Sequence, residues 1–138
     1  MKGSLYINDK DAFITWGVVM QKGAYNSILL PPSNKAYTTN DQRSSSGVQV
    51  FYENIQPSDR TFNISFVILA DTKQDYLSKY KSFVDELSNG QVIMRITELK
   101  TIYKLHVDGY LNLNNYMNKQ GILNVRFSEP NIKERIYL

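Results

Sequence analysis

The chain has no cysteine, which excludes disulfide staples, thiolate nucleophiles and zinc–thiolate centres at once. It has a single histidine, His106. A catalytic metal site needs several imidazoles or carboxylates converging, and a nucleophile–histidine–acid triad needs partners on both sides of its imidazole. In "YKLHVDG" Asp108, two residues on, shares the strand face of His106, and with one such pair a structural or surface role outranks a catalytic one. No Gly-rich loop has phosphate-binding spacing. Asp9 and Asp11 in "NDKDAF" fail as a calcium loop, because positions six and twelve would be Ile14 and Met20 where glycine and glutamate are required. Turn chemistry explains them better. The longest unbroken apolar run, Phe66 to Ala70, is far short of the roughly 20 residues that span a bilayer. "MKGSLYINDKDAF" lacks the apolar core of a signal peptide. The expectation is a chain made in the cytoplasm, with no membrane partner, no cofactor, no metal and no enzymatic activity.

A concentrated charge of either sign is also missing. Lysine and arginine number 16 against 13 acids, a formal net charge of +3, and the cations are scattered as in "IKERIYL". Arg95, Lys104 and Arg126 fall in successive candidate strands near tyrosines, where a sheet face could bind single-stranded nucleic acid. Arg95 and Arg126 are flanked by apolar residues and read as buried, so plain sheet packing outranks that possibility.

What the chain has in quantity is tyrosine, ten residues of 138. Tyrosine forms strands well, and its apolar body with a wet tip also suits protein interfaces. A length of 138 residues with 42% hydrophobic content fits one domain over residues 1–138 that buries roughly two-thirds of its unfolded surface.

One segment has a helical period. In "TKQDYLSKYKSFVDELSNG", Tyr76, Leu77, Tyr80, Phe83, Val84 and Leu87 recur at steps of three and four, which predicts a stripe facing a core. Thr72 is the predicted N-cap, Asp75 completes a short capping box, and Gly90 supplies a stop. The remainder reads as strands. "TFNISFVIL" alternates Phe62, Ile64, Phe66 and Ile68 onto one face. "QVIMRIT" and "TIYKLHVDG" predict a hairpin through Glu98–Lys100, and "YLNLNNYM" with "GILNVRF" a second. "SLYIN" and "GVVMQKG" are shorter strands with a turn between them, and "AYNSILLPP" is a helical turn stopped by proline. The predicted class is mainly β (α+β), with antiparallel sheets as a sandwich or open barrel and one central helix packed against them.

Read in order, several phrases carry a family likeness. "INDKDAFITWGVVMQKGAYNSILLPPSNKAY", then "NDQRSSSGVQVFYE" with Asn40, Arg43 and Gly47, then "DRTFNISFVILA", "YLSKYKSFVDELSNG" and the closing "VRFSEPN" resemble small tail proteins encoded by phages and prophages of Bacteroides-like bacteria. The element order is similar to the N-terminal domain of siphophage distal tail proteins and to tail-tube proteins. The resemblance implies a structural protein made in the bacterial cytoplasm and ending in the virion tail. It implies a ring, typically hexameric, at the tail tip or tube end, with neighbouring tail-tube or baseplate proteins as partners. DNA would pass through without specific binding. Distal tail proteins often add a C-terminal carbohydrate-binding-like domain, and ending at Leu138 leaves no room for one, so direct receptor binding is not expected. In this setting Asn40, Arg43, Ser44, Ser45, Ser46 and Gly47 read as a flexible loop near residues 40–48 that packs on an adjacent subunit. The competing reading is a non-catalytic carbohydrate-binding module with an aromatic sheet face, for which a contiguous exposed cluster of Trp16 or several tyrosines would be the mark.

Overall fold

Strict alternation of apolar and polar side chains builds most of the molecule. The computed structural model describes residues 1–31, 38–40, 49–51, 59–114 and 120–138. In chain order these form β1 (Leu5–Ile7), β2 (Lys10–Asp11), α1 (Ala12–Trp16), β3 (Val18–Met20), α2 (Ala24–Leu29), β4 (Thr38–Asn40) and β5 (Gln49–Phe51). They continue as β6 (Arg60–Leu69), α3 (Lys73–Leu87), β7 (Gln91–Ile96), β8 (Thr101–Asn114), β9 (Gln120–Glu129), a 3-10 turn (Ile132–Glu134) and β10 (Ile136–Tyr137). The main sheet runs β2-β1-β7-β8-β9-β6-β3, antiparallel at each pairing, with β10 joined to β8. The class is mainly antiparallel β with one sizeable helix laid on the sheet, and the barrel is open.

The long central strands set the register. In β6 the even residues Phe62, Ile64, Phe66 and Ile68 point inward, and in β9 the odd residues Leu123, Val125 and Phe127 do the same. Their pairing runs from Arg60↔Glu129 to Leu69↔Gln120 without a slip. A one-residue shift would turn both apolar sets to solvent, so burial itself enforces this register. α3 covers the inner face. Phe83 meets Phe66 edge-on at 5.2 Å and Trp16 at 5.5 Å, and Phe66 reaches Phe127 at 6.0 Å. Such offset contacts add to the area each ring buries.

The helix starts at its predicted N-cap, where the Thr72 side chain accepts from Asp75 N at 3.0 Å, and ends on Ser88, two residues before Gly90 at φ 117°. The Asp75 carboxylate, however, accepts from Asp71 N at 3.4 Å, one residue before the cap amide that a capping box would satisfy. On the core stripe, Tyr76, Phe83 and Leu87 are buried, and Tyr80 and Val84 are half-buried. Leu77 departs from the expectation and is 45% exposed. One residue turns a helix by about 100°, so Leu77 lies beside the 76-80-83-87 row and faces water.

Two further expectations are corrected. The segment expected to split at Asp108–Gly109 is one 14-residue strand, β8. Register shifts between Val107 and Gly109 and between Tyr110 and Asn112 mark β-bulges, which bend a strand and absorb an extra residue without ending it. The turn expected between the short strands β1 and β3 contains β2 and the short helix α1. The Asp11 side chain caps α1 by accepting from Phe13 N and Ile14 N, and it also accepts from Gly3 N.

Candidate assembly surface

An acid and a base lie inside the sheet where its alternation predicts apolar side chains, and a second base reaches them from outside it. Arg60 is in register with Phe62 on β6, and Glu129 is in register with Phe127 on β9. The Glu129 side chain is fully buried. Arg60 Nε donates to its Oε1 at 2.7 Å, while Arg135, beyond the 3-10 turn, donates to both oxygens at 2.7 Å. Burial alone would push the Glu129 carboxyl up. The hydrogen bonds and charges of Arg135 and Arg60 outweigh it and hold the group below its ordinary value of 4.5.

Arg60 does a second job. Its Nη1 donates to the carbonyls of Ile28 and Leu30 at 2.6 and 2.7 Å, satisfying acceptors left free at the end of α2. Its guanidinium also lies 4.4 Å over the Phe62 ring. The cluster therefore ties α2, the start of β6, the end of β9 and the C-terminal segment into one corner.

Around that corner the surface is apolar. Leu29, Leu30, Ile136, Tyr137 and Leu138 are exposed, by 45 to 71%. Leu138 N donates to Lys100 O, and Thr97 N to Ser4 O, so both chain ends converge on the β7–β8 turn. Met1, 71% exposed, joins this end. A groove of about 430 Å³ opens here between the two margins of the sheet, lined by Met1, Leu5, Val19, Met20 and Tyr25 among others. The margins differ. β2 is two charged residues, which blunts an edge, whereas β3 is Val18-Val19-Met20 with one side unpaired among the described residues. An apolar edge of that kind accepts a neighbour.

The predicted assembly loop is only partly described. Asn40 ends β4 and pairs with Gln49 of β5, so a hairpin base is present. Arg43, Ser44, Ser45, Ser46 and Gly47 lie outside the described residues. Arg95 and Arg126, expected inside, are exposed. Their apolar neighbours in sequence point inward, and alternation sends the arginines outward. The arginine–glutamate cluster escaped the sequence reading altogether. Its signal is present, since Arg60 and Glu129 each continue an inward-facing series by one more step of two.

The polar group nearest to a catalytic arrangement is His106, Asp108 and Ser128. His106 Nε2 stands 3.4 Å from Asp108 Oδ1, and Ser128 Oγ donates to Asp108 Oδ2 at 2.6 Å. The carboxylate sits between the two, so the serine is tied to an acid and not to the imidazole that would activate it. Among the described residues no three metal-ligating side chains converge, and no helix is long and apolar enough to cross a membrane.

No family model matches the chain, and no curated protein matches it. Among solved structures it is similar to the SPP1 Dit (gp 19.1) protein, described as a paradigm of the hub adsorption apparatus in phages that infect Gram-positive bacteria. The TM-score is 0.62 at 9% sequence identity. The match covers 91% of this chain and 48% of that one, so the chain spans about half the length of that hub protein. The chain shares the fold of part of a phage distal tail hub protein.

Proposed function

We propose that the chain is a structural protein of a phage or prophage tail, from a Bacteroides-type host. In this reading it forms a ring, typically of six copies, at the tail tip or tube end around the DNA channel. The observation that carries the reading is the hub-protein fold, which extends over 91% of the chain. The surface supports it. A cyclic ring joins one patch to a different patch on the next copy, and the apolar end around Leu30, Tyr137 and Leu138 together with the β3 edge offers such unlike patches. Neighbouring tube or baseplate proteins would cap the ring, and the hairpin carrying Arg43–Gly47 would reach an adjacent subunit.

The role is non-catalytic, which the Asp108-centred arrangement of His106 and Ser128 supports. The carbohydrate-binding alternative loses Trp16 from its sheet face, while Tyr110 and Tyr137 stay exposed on β8 and β10. Trp16 is 1% exposed and donates to Ser82 Oγ at 3.0 Å, and Tyr76 and Tyr103 are buried. Negative-stain imaging of the concentrated protein tests the proposal: closed rings with an axial channel are expected, and fields of single small particles at every concentration count against it.

A further inference from the structure

The outer face of the sheet carries a diagonal of three cations. Tyr6↔Arg95↔Ile102 is one row across β1, β7 and β8, and Gly109↔Arg126↔Asn63 is another across β8, β9 and β6. Lys104 lies between them on β8, two residues beyond Ile102. With about 3.4 Å per residue along a strand and about 4.8 Å between strands, Arg95 and Lys104 stand roughly 8 Å apart, and Lys104 and Arg126 roughly 14 Å apart. None of the three is ion-paired with a described residue. Asp108 stands among them, hydrogen-bonded by Ser128 and 3.4 Å from His106, and three cations against one carboxylate leave this face net positive.

Beside the diagonal runs a ladder of amides and hydroxyls. Asn124 pairs across β9 with Ser65 on one side and with Asn112 on the other, and its side chain hydrogen-bonds both. Asn63 accepts from Arg126 Nε at 3.5 Å. Cations flanked by short hydrogen-bonding groups match what contacts phosphate oxygens in nucleic-acid complexes. Base stacking needs an open aromatic plane, and Tyr6, the aromatic side chain in the Arg95 row, is half-buried with the Arg95 guanidinium 5.3 Å over its ring. That favours a duplex over a single strand.

We propose that this face contacts the phosphate backbone of duplex DNA, weakly and without regard to sequence, through Arg95, Lys104 and Arg126. The inference rests on the tail reading for its biological setting and says which face of the subunit would be turned toward the passing DNA. Three cations give a shallow contact. Affinity should vary with salt at a log–log slope of about −2.7, from roughly 0.9 per neutralised phosphate. Such a contact fades at physiological salt and leaves the duplex free to slide.

The test is fluorescence anisotropy of a labelled 20-base-pair duplex, titrated with the intact chain between 20 and 200 mM sodium chloride. The wild type should bind at the low-salt end with the stated slope, and a second duplex of unrelated sequence should bind equally. The triple variant R95E/K104E/R126E should lose at least tenfold in affinity. K22E/K73E/K81E, which makes the same change of net charge at exposed positions outside the sheet, should stay within threefold of wild type. If the reversed charges disturb folding, R95Q/K104Q/R126Q replaces the first variant with the same expectation. No binding at 20 mM salt, or equal losses in the two triple variants, overturns the proposal. Ring formation is measured separately: rings without DNA contact sink this inference alone, and DNA contact without rings sinks the tail reading.

Discussion

The hydroxyl of Tyr76 lies against the α-carbon of Gly121, across the contact between α3 and the first residues of β9. A Cβ at position 121 would come within 2.7 Å of Tyr76 Cζ and closer still to its oxygen. The same hydroxyl is buried with no hydrogen-bond partner among the described residues. Gly121→Ala should therefore destabilise the fold by about 1–3 kcal/mol through overpacking. Tyr76→Phe removes an unsatisfied polar atom and should be neutral or stabilising. Combined, the two changes should recover part of the glycine variant's loss. Urea denaturation of the four proteins checks this, and additive losses in the double variant would contradict the contact.

Glu129 holds two arginines in a dry corner. Glu129→Gln leaves two guanidinium groups without their anion and should cost about 3–5 kcal/mol at pH 7. Denaturation midpoints of the variant and the wild type at neutral pH measure it.

The same carboxylate predicts an acid limb. Its folded value lies below 4.5, so the unfolded chain takes up the proton first as pH falls. The stability it contributes is complete above the ordinary carboxylate range. It is lost as pH drops from there through the folded value. Thermal midpoints between pH 7 and 3 should fall more steeply for the wild type than for Glu129→Gln.

Leu30 and Leu138 are 69% and 60% exposed on the apolar corner. Leu30→Ser with Leu138→Ser should change subunit stability by no more than about 0.5 kcal/mol each, as exposed positions do. The concentration needed for self-association should rise at least tenfold, read by sedimentation velocity. Unchanged association would remove this corner from the interface.

Deletion of Arg43–Gly47 should leave the fold intact by circular dichroism and weaken assembly. Normal assembly of the shortened chain would sink the role proposed for the loop.

Periodicity carried most of the fold. The stripe of α3 and the alternation of β6 and β9 could be read because a single period persists over ten residues or more. Errors arose where a local rule competed with that period. Asp108–Gly109 looks like a turn, yet β8 absorbs it as a bulge, because β9 continues to offer partners on the far side. Arg95 looks buried between Met94 and Ile96, yet those neighbours face in and it faces out. The Arg60–Glu129 pair bridges 69 residues of sequence and needed the strand pairing before its meaning appeared. The apolar corner is less legible still, since it is assembled from both chain ends, α2 and one turn.

The most direct test of the central claim is the molar mass of the intact chain by light scattering across a thousandfold range of concentration. The account predicts a shift from the 16.0 kDa subunit to one discrete, closed species at a whole-number multiple of that mass. A monomer throughout the range, or open-ended growth with no preferred size, would contradict it.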